Sequence, residues 1–343
     1  MRLKGTYYEM GYEQGKMLIE GKILPPIWLE GIHETVLPER LTFADECEEI
    51  VCRHMPGFLD ELHGVADGAK ADYNQVKIWP LCSYAKLNSQ SCSAVAISGE
   101  HTRDGKPLFI RNYDYMDSDR EYFTVSWTEL TGGYASLGFC DSLSSRYCGF
   151  NEKGLAVASS IGGYAGPPKP GLVFSLVTRW ILDQYSTARE GVEFLKRVPH
   201  FHGWNFLLCD LQNNIVRVET CPERVEVVNF DDGIGISTNH YLSKEMQKYE
   251  EKNWTSTGST TKRFDNTRNW FQNRNGPITT DYACKLARSS TDDGGLCDRF
   301  KGVEGGTLWS WICTLGETEV LVSDGPSCKE DYQTLQVPIE FNK

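Results

Sequence analysis

The sequence predicts an α+β protein in which two layers of antiparallel strands have helices grouped outside them. Three observations carry this. The first 91 residues read as largely helical, a meander of closely spaced strands follows, and a helix pair separates that meander from a second strand run. Strands joined by short turns pair antiparallel, because a parallel pair needs a crossover of a dozen residues or more. Strands and helices that segregate along the chain fit layered α+β packing better than repeated parallel units.

In order, residues 8–20 carry helix formers around Gly11 and Gly15. Residues 42–55 form a clearer helix. Thr42 with Asp45 resembles a capping box, Phe43, Cys47, Ile50 and Val51 share one face, and Pro56-Gly57 closes it. A second helix is expected over 58–70, then a turn at 71–74. Strands follow at 94–97, 107–113, 123–130, 135–140 and 155–159, with turns at 103–105 and 151–154. Beyond the Gly- and Pro-rich stretch 162–171, helices are expected over 172–185 and from Thr187, capped with Glu190, to Val198. Strands return at 204–209, 215–220, 225–230 and 235–237. Helices over 262–274 and 281–288 precede a closing hairpin, 307–314 with 319–322. Trp180, Trp204, Trp309 and Trp311 fall in these elements as core residues.

Composition narrows the function classes. With 35 basic and 47 acidic residues the net charge is −12 and no basic patch offsets it, which argues against a nucleic-acid scaffold or an anionic-membrane binder. No run of about 18 uncharged apolar residues is present, so no membrane span is expected. The N-terminus MRLKGTYYEMGYEQG lacks an apolar export region, which makes the cytoplasm, with mostly reduced thiols, the expected compartment. None of the twelve cysteines forms a CxxC pair and histidines are few, so no zinc or iron–sulfur site is expected, and the reading reached below requires no metal or organic cofactor. Most of these cysteines read as small core residues, with disulfides left open.

One cysteine has distinctive company. Cys92 opens a strand, and Arg111-Asn112-Tyr113-Asp114 ends the next. An arginine and an aspartate at that strand end can both reach a site beside Cys92. The guanidinium can fix a carboxylate, and the carboxylate can orient an amine or a thiol. A structural ion pair between Arg111 and Asp114 is the alternative.

Ser91-Cys92-Ser93, Arg111-Asn112-Tyr113-Asp114, the run 149–157 (GFNEKGLAV) and Ser237-Thr238-Asn239-His240 together resemble the N-terminal-nucleophile cysteine hydrolases. The group they most resemble is the acyl-coenzyme A:6-aminopenicillanate acyltransferases; bile-salt hydrolases, penicillin V acylases and acid ceramidase are more distant. The resemblance runs in order from Gly11-Tyr12-Glu13-Gln14-Gly15 to Asp324-Gly325. It implies a four-layer αββα sandwich and autoproteolysis between Ser91 and Cys92. A helical segment 1–91 would stay packed on a catalytic part 92–343 as one structural domain. It further implies a small-molecule amide substrate, an acyl-enzyme on Cys92, and hydrolysis or acyl transfer.

By the same resemblance Asp114 holds the new Cys92 amine, Arg111 positions the centre, Asn239 contributes its amide to an oxyanion hole, and Arg263 braces the site. Alternatives stay open: Asn239 as a turn residue, and Arg263 as a solvated helix charge with Lys262 as its register rival. Ile161 stands where bile-salt hydrolases have asparagine, leaving a backbone N–H, Ser159 or Ser160 as the oxyanion partner. Tyr113 replaces a frequent tryptophan, and the loop carrying Tyr164 borders the expected substrate cleft. His240 allows a papain-like Cys–His peptidase as a rival, and a scaffold that never matures is another. The expected partners are the substrate and the chain's own N-terminal fragment, with neither nucleic acid nor membrane; a homo-oligomer stays open.

Overall fold

The computed structural model describes residues 1–23, 37–82, 91–140, 143–256, 258–339 and 341. Among them run β1 (Arg2–Gly5), α1 (Tyr7–Ile19), α2 (Leu37–His54), α3 (Pro56–Ala69), α4 (Tyr73–Cys82), β2 (Ser91–Ile97) and β3 (Leu108–Met116). Next come β4 (Thr124–Leu130), β5 (Ser136–Cys140), β6 (Cys148–Asn151), β7 (Ala156–Ile161), α5 (Phe174–Gln184) and α6 (Ala188–Arg197). The remainder is β8 (Trp204–Cys209), β9 (Ile215–Cys221), β10 (Arg224–Asn229), β11 (Ile234–Ser237), α7 (Thr260–Gln272), α8 (Thr280–Arg288), β12 (Gly305–Thr314), β13 (Glu319–Asp324) and β14 (Gln333–Gln336).

The strands form two sheets, β1-β4-β5-β6-β7-β8-β9-β10 and β11-β2-β3-β12-β13-β14. Every pair is antiparallel except β1 with β4, which is parallel. Three apolar layers separate four structural ones. One lies between the larger sheet and helices α2 to α6, one between the sheets, and one between the smaller sheet and α7 and α8. This is the αββα sandwich. The period of two sorts the side chains: Cys92, Ala94 and Ala96 enter the inter-sheet core, whereas Val95 and Ile97 enter the layer under α7 and α8.

The helical segment is built into this sandwich. β1 extends the larger sheet beside β4. α1 crosses α3 at close range, and a Cβ on Gly11, Gly15, Gly64 or Gly68 would strike the opposing helix backbone. Between α1, α3 and α5, Gln14 donates to Glu61 at 2.7 Å, Arg179 lies 3.4 Å from Glu61, and Arg179 donates to Asp183 at 2.7 Å. Tyr7 also donates to Asp183, at 3.1 Å. Gln14, Glu61, Arg179 and Asp183 are fully buried, so removing one partner strands a charge or a donor. Gly64→Leu is expected to cost about 1–3 kcal/mol or more by forcing the helices apart, read as a lower urea midpoint.

Four local expectations change. Thr42 opens no helix: α2 already starts at Leu37, and the Thr42 hydroxyl donates to the Pro38 carbonyl inside it. The turn expected at 71–74 starts α4, with Asp72 accepting from the N–H groups of Asn74 and Gln75. β1, β6 and β14 were not expected at all. Trp204, Trp309 and Trp311 are buried as expected, but Trp180 is only half-buried, its ring stacked on Tyr7.

Candidate active site

The site is built where β2 begins. Cys92 pairs with Tyr113 and Ala94 with Arg111, so the thiol, the phenol ring and the guanidinium share the inter-sheet face. Ser91 pairs with Asp114 and Ser93 with Asn112, which puts those side chains on the face toward α7. The alternation within one hairpin therefore divides the candidate residues between two faces. Arg111 and Asp114 lie on opposite sides and make no ion pair with each other, which removes the structural-pair alternative.

From the α7 side, Arg263 reaches the strand start and is fully buried. Its Nη1 donates to the Cys92 carbonyl at 2.5 Å and to Ser93 Oγ at 2.7 Å. Its Nη2 donates to Asn239 Oδ1 at 3.0 Å and to Ser91 Oγ, and its Nε donates to Ser259 Oγ at 2.9 Å. Asp114 Oδ2 stands 4.0 Å from Nη1 and Asp298 Oδ2 3.7 Å from Nε. Lys262, the register rival, is half-exposed and pairs with Asp292. The phase of α7 thus selects Arg263, and the solvated-charge reading fails.

Asn239 follows β11, the neighbour of β2. Its Oδ1 accepts the Cys92 peptide N–H at 2.6 Å, and its Nδ2 donates to the Ile161 carbonyl at 3.4 Å. The Thr260 hydroxyl accepts the Asn239 N–H at 2.8 Å, and the Trp254 indole donates to the Asn239 carbonyl. In the unbroken chain, then, the carboxamide oxygen serves the strand start. These bonds also show why Asn239 is more than a turn residue.

Burial and neighbouring charges act on both Cys92 and Asp114. Burial pushes the Cys92 thiol up, while Arg111, the Asp114 backbone and Arg263 pull it back. Burial likewise raises the Asp114 carboxyl to about 7, with the charge of Asp298 adding to it; Arg263, the Thr307 hydroxyl and Arg111 oppose the rise. Arg111 is buried, its guanidinium is 6.0 Å from the Tyr113 ring, and its Nε and Nη1 have no hydrogen-bond partner among the described residues. Unpartnered buried donors of this kind are costly in a folded protein, and they suit a site where negative charge develops on a reacting oxygen.

Other expected residues lie apart from this cluster or are already occupied. Ser159 Oγ donates to the Tyr147 carbonyl and Ser160 Oγ to the Thr238 carbonyl, so each hydroxyl hydrogen is committed. Ile161 packs its side chain into the core beneath α5 and α6. Tyr164 donates to Glu223 and packs on His202, in a small cluster with Cys221, Tyr241 and Met246. His240 Nδ1 bonds with the hydroxyls of Thr238 and Thr260, and burial lowers the imidazole to about 3. Among the described residues it makes no hydrogen bond to Cys92, the contact that a Cys–His dyad requires.

A cleft of about 600 Å3 opens on the outer face, lined by Ser91, Asn239, Arg263, Trp254, Asp298 and Phe300 among others. Asp298, Thr307 and Trp254 contact this cluster and are missed by sequence reading. Each lies far along the chain from Cys92 in a segment with no motif. Cys297, next to Asp298, is disulfide-bonded to Cys328.

The sequence model of one family, described as acyl-coenzyme A:6-aminopenicillanic acid acyl-transferase, matches residues 101–311, well over half of the chain. The chain belongs to that family. Its two sheets flanked by helices match the αββα sandwich of the N-terminal-nucleophile hydrolase fold. The matched range takes in Arg111, Asp114, Asn239 and Arg263 and begins after Cys92. Among solved structures, penicillin V acylase from Agrobacterium tumefaciens is similar at 13% identity and a TM-score of 0.49, covering 71% of this chain and 86% of that one. A variant of conjugated bile acid hydrolase from Clostridium perfringens follows at 14% and 0.46, covering 73% and 99%. The Caenorhabditis elegans ortholog of N-acylethanolamine-hydrolyzing acid amidase stands at 14% and 0.48, covering 72% and 100%. No curated protein sequence matches this chain significantly. Among the described residues no helix is long and apolar enough to cross a membrane, and no cluster of acidic, cysteine and histidine side chains is arranged to hold a metal.

Proposed function

We propose that this chain is a self-processing cysteine amidase that cuts a linear or small-molecule amide through an acyl-enzyme on Cys92. The observation that carries the reading is the convergence on one residue, Cys92. The Cys92 N–H is held by Asn239, its carbonyl by Arg263, and Arg111 offers unpartnered N–H groups on the thiol's own face.

In the first step the Cys92 thiol attacks the Ser91 carbonyl, the Ser91–Cys92 amide becomes a thioester, and the freed Cys92 nitrogen takes a proton. Water then cleaves the thioester, leaving a Ser91 carboxylate and a Cys92 thiol with a terminal amine. Such an amine titrates near ~8, so its neutral form can accept the thiol proton. The thiolate next attacks the substrate amide, the Arg111 N–H groups meet the developing oxyanion, and the ammonium returns its proton to the departing amine. Attack by water on the acyl-enzyme gives hydrolysis; attack by a second amine gives acyl transfer. Asp114 holds the Cys92 ammonium in this scheme.

After cleavage the segment 1–91 stays bound, since β1 and the Gln14–Glu61–Arg179–Asp183 network join it to 92–343. A reducing compartment, the cytoplasm, belongs to the same reading, with Cys47, Cys82, Cys148, Cys209 and Cys313 as buried core thiols. Alkylation under denaturing conditions before and after reduction checks the disulfide-bonded pair: reduction is expected to add two modified cysteines, Cys297 and Cys328. The substrate class is tested by mixing the protein with N-acyl amino acids, β-lactams, β-alanyl amines and conjugated bile acids, then quenching with acid. An acyl adduct on the Cys92 peptide is expected for at least one class. Turnover with acylation elsewhere, or turnover that survives Cys92→Ala, overturns the assignment.

A further inference from the structure

We propose that Asp298 and Thr307 are positioning residues: one corner of the chain sets both Asp114 and Arg263 at the Cys92 site. The hydrogen bonds fix its direction. Thr307 Oγ1 accepts from the Asp298 N–H at 2.9 Å, so its own hydrogen is committed to Asp114 Oδ1 at 2.6 Å. The Thr307 N–H returns a bond to the Asp298 carbonyl at 2.8 Å. The Asp298 carboxylate meanwhile accepts from Ser259 Oγ and lies 3.7 Å from Arg263 Nε. One short loop closed on itself thus sets the carboxylate from one end and the guanidinium from the other.

The sequence builds this corner deliberately. β12 shifts register between Thr307 and Trp309, which leaves Thr307 opposite Asp114 while Trp309 faces Tyr113. Gly306 has φ +142°, and a Cβ there would strike the Asp298 carbonyl, so only glycine lets the strand come this close. The Cys297–Cys328 disulfide ties down the residue before Asp298.

Asp114 is faced by Arg263 from α7 and by Asp298 and Thr307 from the corner, while the charges of Arg111 and Cys92 act on it from the other face of the hairpin. Removing the Asp298 charge lets Asp114 ionise at lower pH. The test measures urea unfolding from about pH 4 to about pH 8 in four chains: wild type, Asp298→Asn, Asp114→Asn and the double variant. Asp298→Asn is expected to move the pH-dependent change down by about half a pH unit or more in the wild-type background, and to add no pH dependence to the flat profile of Asp114→Asn. An equal change in both backgrounds overturns the coupling.

A second arm rests on the proposed self-processing. Thr307→Val is expected to slow fragment formation about tenfold or more, and Thr307→Ser to retain it. Equal rates in the two variants contradict the role of the hydroxyl. Absence of processing in the wild type would sink the functional reading, and the unfolding arm would still decide whether Asp298 acts on Asp114.

Discussion

Arg263→Met is expected to abolish self-processing and to lower stability by about 3–5 kcal/mol, the usual cost of removing one partner from a buried charge network. The guanidinium is fully buried between Asp114 and Asp298 and also donates to Ser91, Ser93, Asn239 and the Cys92 carbonyl. Without it two carboxylates share a dry site with no cation between them. Arg263→Lys is expected to rescue little, because a compact ammonium cannot span acceptors on both sides of the strand start. Lys262→Met, one residue away, removes only a half-exposed pair with Asp292 and is expected to cost less than about 1 kcal/mol. Urea midpoints and intact masses of the three variants check all three statements.

The second large effect runs in the opposite direction. Asp114→Asn is expected to stabilise the chain at neutral and alkaline pH while stopping its maturation. Burial holds the Asp114 carboxyl near 7, against 3.8 for an ordinary aspartate. The native state therefore keeps this proton to higher pH than the unfolded state does. Its contribution is fully present below about pH 4 and is lost as pH rises through the folded value near 7, a fall of roughly 4 kcal/mol. Asparagine keeps the Thr307 bond and has no charge to bury, so its stability is expected to be flat over that window. At about pH 8 the variant should exceed the wild type by roughly 1–3 kcal/mol, the trade of stability for function seen where a site holds a costly group. Denaturant unfolding at about pH 5 and about pH 8 reads this directly. A wild-type stability that rises between those values would contradict it.

How much of this was legible in the sequence depends on the range of the interactions. β8 (Trp204–Cys209) and the capping box of Thr187 with Glu190 are local, and both were read directly. The Cys92, Arg111 and Asp114 grouping was also legible, because a hairpin brings its ends together whatever the rest of the chain does. β1 was not legible: four residues with little apolar character are a strand only because β4 offers them an edge. α4 was hidden by Pro80 and by its shortness. The choice of Arg263 over Lys262 needed the phase of α7, which periodicity leaves uncertain by a residue. Asp298 and Thr307 reach Asp114 across nearly two hundred residues of chain, and no spacing rule covers that distance. Gly11 and Gly15, read only as glycines within a helix-forming stretch, are what allow α1 and α3 to touch.

The central claim is that Cys92 becomes an N-terminus. Intact mass spectrometry of freshly purified protein tests it most directly, with Cys92→Ala beside it. The expected result is two fragments of 91 and 252 residues (343 − 91), the larger beginning at Cys92 and co-eluting with the smaller, and a single 38.8 kDa chain for Cys92→Ala. An unbroken wild-type chain that nonetheless cleaves amides at full rate would contradict the account.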